Sequence, residues 1–224
     1  MMSASVTGDL GALLQLSSPA LPVGAYSYSQ GLEAAIEHGL VGDAATAQVW
    51  IGDALRLVLG RYEAPVWWRL RSAWDANDPA RFAHWNEAFL ATRETRESRA
   101  ETLQMGYSLQ QLMRSLGDEA VTEMPELSYP AAHARASALW RIAPSAALYG
   151  YLYGWAENQV MAALKAVPLG QVAGQKLLIA LRPVIGEVAQ AAMQCDDDAL
   201  CTQAPMLGIL GSRHETQYSR LFRS

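Results

Sequence analysis

The stretch from Pro144 to Pro168 constrains the fold most strongly, because it is long, apolar and bounded by prolines. Between Ser145 and Leu164 it has a single formal charge, at Glu157. Pro144 suits the first position of a helix, where its missing N–H is not needed. Pro168 ends the helix, because the residue before a proline is biased out of the α region. The spacing predicts a helix of about 22 residues, about 33 Å long.

Apolar side chains occur all round this predicted helix, so no face of it suits water. A membrane span would place Glu157 near the centre of the bilayer, at a cost of about 2.5–3.5 kcal/mol. We therefore expect no membrane association and interpret the stretch as the core helix of a bundle. Gly150 and Gly154 stand on one side of it at helical spacing, which predicts that another helix approaches closely there.

The rest of the chain shows a helical rather than an alternating hydrophobic period. Asp43 and Asp78 are predicted to cap helices at their N-termini. Pro65 is predicted to begin a helix, and Pro183 to restart one. We predict an all-α fold, a single-domain helical bundle of about eight to ten helices that occupies residues 1–210.

Composition indicates a partly apolar surface. Charged residues make up 17% of the 224 residues and apolar types 51%, whereas about a quarter of the residues are charged in an ordinary globular protein. Together with the glycine-bearing face of the central helix, this predicts a homodimer that buries apolar surface between its subunits. The net charge of −5 gives no reason to expect nucleic-acid binding.

The sequence shows few signs of catalysis or metal binding. Its four histidines are dispersed, without a second ligand-type residue at a metal-binding spacing. It has no phosphate-binding lysine loop and no nucleophile elbow. We expect no catalytic residue, no cofactor and no metal site. One alternative stays open, a small helical enzyme that uses a buried Glu157 with nearby tyrosines.

The first residues of the chain and its cysteines indicate the cellular compartment. The first ten residues lack the basic start and the apolar run of a secretory signal. Cys195 and Cys201 flank three aspartates at a spacing that matches no zinc motif. We interpret this patch as a solvated turn with reduced thiols, and we expect a cytoplasmic protein.

The last fourteen residues, 211–224, differ from the rest and are called the tail. They contain Arg213, Arg220 and Arg223 against Glu215 alone, a charge of +2 on a chain of net charge −5. Arginine, tyrosine and phenylalanine are enriched at the centres of interfaces. We expect the tail to fold back on the acidic body or to bind another protein, and to be mobile until it is bound.

Four stretches, in this order along the chain, closely resemble the UreF family of urease accessory proteins: LLQLSSPALPVGAYSYSQGLEAAIEHGLV, ATRET, WAENQVMAALKAVPLGQVAGQKLL and SRHETQYSRLFRS. The resemblance runs from about residue 13 to residue 224 and is weakest between residues 115 and 140. It implies an all-helical, non-enzymatic component of the machinery that activates urease.

The resemblance also implies partners. Members of the family typically dimerise and bind an accessory protein of the UreD/UreH type. They thereby recruit the nickel-carrying GTPase UreG to apo-urease, and nickel is inserted with GTP hydrolysis by that partner. A chain of this kind can bridge the two partners, or it can regulate the GTP hydrolysis of UreG directly.

Family positions match in three places. The tail is expected to bind the partner through Arg213, His214, Glu215, Tyr218, Arg220 and Phe222. The proline-glycine loop matches at Pro19, Pro22, Gly24, Ser27, Tyr28 and Gly31. Lys165, one of only two lysines, is the candidate for coupling to the GTPase, although a lysine at the end of a helix also serves the helix dipole.

The loop departs from the family pattern at Ala25 and Tyr26, where the family often has glycine and phenylalanine. A requirement for positive φ at residue 25 would strain the alanine. The loop is expected to lead into a helix capped by Ser27 or Ser29.

Overall fold

The computed structural model describes residues 3–117, 126–202, 205–215, 217–218 and 220–223. The α-helices are α1 (Ser3–Leu16), α2 (Leu32–Glu37), α3 (Ala44–Ala54), α4 (Ala64–Asp75), α5 (Pro79–Ala91), α6 (Arg96–Ser115), α7 (Tyr129–Leu139), α8 (Pro144–Ala166), α9 (Gln171–Gln194) and α10 (Pro205–His214). A π-helix, Leu55–Glu63, joins α3 to α4, and short 3₁₀ turns lie at Ala25–Ser27 and Asp197–Ala199. No strand occurs in these ranges, which confirms the predicted all-α, single-domain fold.

Helix α8 is the predicted core helix, and its 23 residues from Pro144 agree with the length expected from the two prolines. It packs most extensively against α9 and also contacts α1, α2, α3, α4 and α7. Leu148, Leu152 and Ala156 on it are fully buried. Among the described helices, none combines the length and the hydropathy that crossing a membrane requires.

The close approach predicted at Gly150 is made by α1 of the same chain. A Cβ atom on Gly150 would lie 2.8 Å from Cδ1 of Leu13 and would also collide with the hydroxyl of Ser17. A Cβ atom on Gly154 would lie 3.6 Å from the carbonyl oxygen of Ser17, which is an ordinary contact distance. This face is already covered within the chain, so it does not support the predicted homodimer.

The N-caps predicted at Asp43 and Asp78 are confirmed. The side chain of Asp43 accepts a hydrogen bond from the N–H of Thr46 in a reciprocal capping box. Asp78 accepts one from the N–H of Arg81, with a nitrogen-to-oxygen distance of 2.9 Å. Each carboxylate satisfies a backbone N–H that has no partner inside its helix.

The α-helix start predicted at Pro65 is confirmed, because α4 begins at Ala64 with this proline in its first turn. The helix start predicted at Pro183 is wrong, because this proline lies inside α9. At the end of the π-helix, the N–H of Ala64 bonds to the carbonyl of Leu59, five residues back. Pro65 follows at the return to ordinary α spacing, where a missing donor interrupts the pattern least. Pro183 lies on the exposed side of α9, and Ile179, whose carbonyl loses its helical partner, is also exposed.

Two helical glycines give a matched test of this packing. At Gly106 in α6, an added Cβ would lie 3.0 Å from the carbonyl carbons of Leu127 and Ser128, which are backbone atoms. Gly186 in α9 has open space at the same position. Gly106→Ala should destabilise the fold by about 1–3 kcal/mol through overpacking, whereas Gly186→Ala should stabilise it by about 0.5–1 kcal/mol.

Urea unfolding of the two variants and the parent measures both effects. Equal stability of the two variants would contradict the close contact between α6 and the segment before α7.

Candidate functional site

The loop between α1 and α2 takes its shape from two glycines in the left-handed region. Gly24 has φ 80° and Gly31 has φ 86°, a conformation that glycine adopts without strain. Ala25 opens a 3₁₀ turn and is not among the described residues with positive φ. The alanine is therefore unstrained where the family often has glycine.

The predicted cap of the next helix is wrong, since α2 begins at Leu32 and its N-cap is Gly31. Ser29 still contributes, because its hydroxyl accepts a hydrogen bond from the N–H of Glu33 at 3.3 Å. The left-handed turn at Gly31 moves the start of the helix past both serines. It places Glu33 in the first turn, where the helix dipole favours a carboxylate.

Glu33 is the centre of the site. Its side chain is almost fully buried, and three donors from the C-terminal part of the chain surround it. Oε1 accepts from the backbone N–H of Leu221 at 2.6 Å, and Oε2 accepts from that of Phe222 at 3.0 Å. Oε2 also lies 3.1 Å from Nε2 of His214. A buried carboxylate requires such compensation.

His214 joins this carboxylate to a second one. The ring is 1% exposed, and its Nδ1 lies 2.9 Å from Oε2 of Glu97 in the first turn of α6. The other oxygen of Glu97 accepts from the guanidinium of Arg220 at 2.5 Å. The N–H of Glu97 in turn donates to the carboxylate of Glu215 at 3.2 Å. The tail thereby connects the starts of α2 and α6.

The end of the tail reaches the loop and the end of α8. The N–H of Arg223 donates to the carbonyl of Ser27 at 2.8 Å. Burial raises the pKa of the Tyr28 hydroxyl, and Glu101 raises it further, whereas a hydrogen bond with the Arg223 side chain opposes the shift. The loop and the tail are therefore held together by both backbone and side-chain contacts.

Lys165 lies in the last turn of α8 beside two aromatic rings. Its Nζ is 5.5 Å from the centroid of Phe222 and 5.9 Å from that of Tyr26, which are distances of a cation–π contact. Phe222 itself is buried. The candidate lysine thus has a tail contact as well as the dipole role expected at the end of a helix.

The structure thus brings most of the predicted tail and loop residues together. His214 and Phe222 are buried, whereas Tyr218 is fully exposed. Pro19 and Pro22 lie exposed in the loop.

Helix α10 spans the boundary predicted at residue 211. That the tail is mobile until a partner binds stays a prediction.

Glu33 and Glu97 are the site residues that sequence reasoning missed. Each is an ordinary acidic residue in the first turn of a helix. The available signal was the excess of arginine in the tail, which requires acidic partners but does not say which of the acidic residues they are.

A cleft of about 330 Å³ adjoins the site between the loop, α6 and α8. Polar groups line its inner part, where the hydroxyl of Tyr151 donates to Glu63 at 2.5 Å. Burial, together with the nearby Arg71, lowers the pKa of His133 to about 3. The ring is therefore neutral, and its Nδ1 accepts from the indole N–H of Trp67 at 3.2 Å.

Glu157 also lines this cleft. Burial alone raises the pKa of its carboxyl, with no charged neighbour contributing. Such a shift is expected of any carboxyl in an apolar helix and does not by itself define a catalytic acid. Over the described ranges, no three His, Cys, Asp or Glu side chains are grouped so that they could share a metal ion.

The fold and the site together define a class: an all-helical protein whose C-terminal segment is bound to its own body by a hydrogen-bonded network around a buried carboxylate. Comparison with known proteins makes the class specific. The UreF family model matches residues 41–182. The urease accessory protein UreF of Delftia acidovorans is 52% identical over 239 aligned residues that cover 100% of both chains.

Two further relatives agree. The urease accessory proteins UreF of Janthinobacterium sp. (strain Marseille) and of Cupriavidus metallidurans are each 52% identical, over 95% of this chain and 96% of theirs. The chain therefore belongs to the UreF family of urease accessory proteins.

The role of Glu33 can be tested against Glu37, an exposed carboxylate on the same helix. Glu33→Ala removes the acceptor of the Leu221 and Phe222 N–H groups, and hydrogen bonds to a charged group contribute about 1.5–3 kcal/mol. We expect exchange of these two amide hydrogens to accelerate by at least tenfold, whereas Glu37→Ala should leave it unchanged. Equal exchange in both variants would mean that Glu33 does not hold the tail.

Proposed function

We propose that this chain acts in nickel insertion as a bridge. It would bind a UreD/UreH-type accessory protein and the nickel-carrying GTPase UreG, and bring them to apo-urease. Membership of the UreF family supports the general role. The docked tail, which buries some family residues and exposes others, is the observation that supports a bridging role for this surface.

The tail and the loop together present large apolar side chains to solvent. Tyr218, Leu221 and Tyr26 are 105%, 70% and 66% exposed. Leu221 directly precedes the buried Phe222, and Tyr26 lies beside Lys165. Leu221 and Tyr26 therefore border the contact between Lys165 and Phe222. Aromatic residues and arginines of this kind dominate the energetics of interfaces.

The residues of the tail therefore divide by role. We propose that His214, Glu215 and Phe222 position the segment, because they contact the body. Tyr218 and the exposed Arg213 would face the partner, and Arg220 would do both, since it pairs with Glu97 while its side chain stays 37% exposed. The UreD/UreH-type protein is the partner proposed for this surface.

This division predicts how exposed residues behave in binding. Tyr218→Ala and Leu221→Ala should each weaken co-purification with the UreD/UreH-type protein, by about thirtyfold in affinity where the side chain is a central contact. Thermal unfolding of the free chain should not change, because both side chains are exposed. Leu116→Ala is the matched control, since Leu116 is also exposed but lies at the opposite end of α6 from Glu97.

Undiminished binding by both tail variants would contradict the proposal. A lowered melting temperature of the free chain would instead assign these side chains to the fold.

Lys165 is proposed to couple the tail to the GTPase, because its ammonium group is exposed and lies at the contact between α8 and Phe222. Lys165→Ala should lower urease activation in a reconstituted system while unfolding changes by less than about 1 kcal/mol. The only other lysine, the exposed Lys176 on α9, gives the matched control Lys176→Ala.

GTP hydrolysis measured in the same preparations distinguishes bridging from direct regulation of UreG. A Lys165→Ala variant that changes the hydrolysis rate within an intact complex favours regulation. Normal activation by this variant would leave Lys165 with its role at the helix dipole alone.

We also propose a homodimer in the cytoplasm. Val49 on α3 and Val172 and Ile179 on α9 are exposed, and these two helices pack side by side. Their apolar side chains offer a surface that a second copy could cover, and sedimentation of the purified chain distinguishes a dimer from the 24.4 kDa monomer. Both cysteines are free thiols, as in a reducing compartment.

A further inference from the structure

Residues 195–201, called the connection, follow α9 and lead toward α10, and a buried arginine on α4 binds them. Arg69 donates from Nε to Oδ1 of Asp197 at 2.6 Å and from Nη2 to the carbonyl of Cys195 at 2.8 Å. Its Nη1 donates to the carbonyl of Pro65 at 3.0 Å. The guanidinium also lies 5.2 Å from the ring centre of Trp85, a cation–π distance. All three nitrogens are therefore used, two of them on the connection.

A second contact with the connection follows from Pro65. A proline has no N–H, so the carbonyl of Arg61, four residues earlier, lacks that helical donor. The N–H of Cys201 donates to this carbonyl at 3.1 Å. The connection is thus bound at both of its ends to the junction of the π-helix and α4, by Arg69 at the first end and by the Arg61 carbonyl at the second.

We propose that Arg69 is a positioning residue for the tail. By holding the connection on α4, it fixes the point from which α10 and the tail extend to the carboxylates of Glu33 and Glu97. The inference goes beyond the proposed function, because it concerns docking of the tail within the free chain. A failure of partner binding would therefore leave it standing.

The size of the effect follows from the length of the loop that closes when the tail docks. With the connection released, this loop runs from the end of α9 at Gln194 to His214, which is roughly 20 residues, whereas from a bound Cys201 it is roughly 13 residues. The probability of closing a flexible loop falls as the three-halves power of its length, so release should lower the ratio of docked to released tail by about twofold. Helix α10 is a stiff part of the loop, and a misplaced start of this helix adds to the loss.

Hydrogen exchange of single amides in the full chain, followed by nuclear magnetic resonance, tests the proposal. Arg69→Lys keeps the charge but lacks the planar fork that reaches several acceptors at once. We expect the Cys201 amide hydrogen to exchange about fivefold faster, as its hydrogen bond is lost. The amide hydrogens of Leu221 and Phe222 should exchange about twofold faster or more.

The matched control is Arg56→Lys. Arg56 lies in the π-helix and pairs with Glu187 on α9, and both side chains are largely exposed. This variant changes an arginine to a lysine on the same part of the fold without touching the connection. It should leave the exchange of all three amides as in the parent.

A second variant avoids any change to the buried arginine. The side chain of Asp197 is 66% exposed, so Asp197→Ala removes one acceptor of Arg69 while the fold stays intact. We expect faster exchange of the same three amides. Asp198→Ala, at the adjacent exposed carboxylate, should have no such effect. If Arg69→Lys does not fold, Asp197→Ala decides.

The amide of Leu152, buried on α8, serves as the reference for global unfolding. Faster exchange at Leu221 and Phe222 relative to Leu152 supports the positioning role. Unchanged exchange at these two amides relative to Leu152 would overturn it, whether or not the Cys201 amide exchanges faster, because the tail would then dock independently of the connection.

Discussion

The buried carboxylate of Glu33 is the constraint on which the site depends. Removing a carboxylate from water is costly unless donors replace the water, and here all the described donors to the Glu33 carboxylate are supplied by residues 214–222. The start of α2 and the tail are therefore completed together. Because His214 and Arg220 also bind Glu97, the same contact fixes the start of α6 relative to α2.

The central helix α8 holds the loop between α1 and α2 through two side-chain hydrogen bonds. Asn158 on α8 donates to the carbonyl of Tyr28 at 3.1 Å, and Trp155 on α8 hydrogen-bonds to Gln30. The loop is thus bound to α8 independently of the tail, and it offers the tail a preformed surface. Lys165, in the last turn of the same helix, makes a cation–π contact with Phe222. In the proposed complex, this support would lower the entropic cost of binding the partner.

Much of the fold is predictable from local signals, because prolines, caps and hydrophobic period act over a few residues. The apolar stretch after Pro144, with few charges, defines α8, and Asp43 defines the start of α3. Pro183 was misleading, because a proline on the exposed face of a long helix does not have to start a new one. The site was harder to predict. The resemblance identified the tail, but Glu33 and His214 are separated by 181 residues, and no local pattern links an acidic first turn to so distant a histidine.

A double-mutant cycle between Glu33 and His214 tests the central claim most directly, since it isolates the interaction between the two residues from their separate effects. The free energy of unfolding would be measured in urea at pH 6 for the parent, Glu33→Gln, His214→Gln and the double variant. We expect a coupling free energy of about 1 kcal/mol or more, as found for groups in one hydrogen-bonded network. Effects that add to within about 0.5 kcal/mol would show that the tail is not held by this carboxylate.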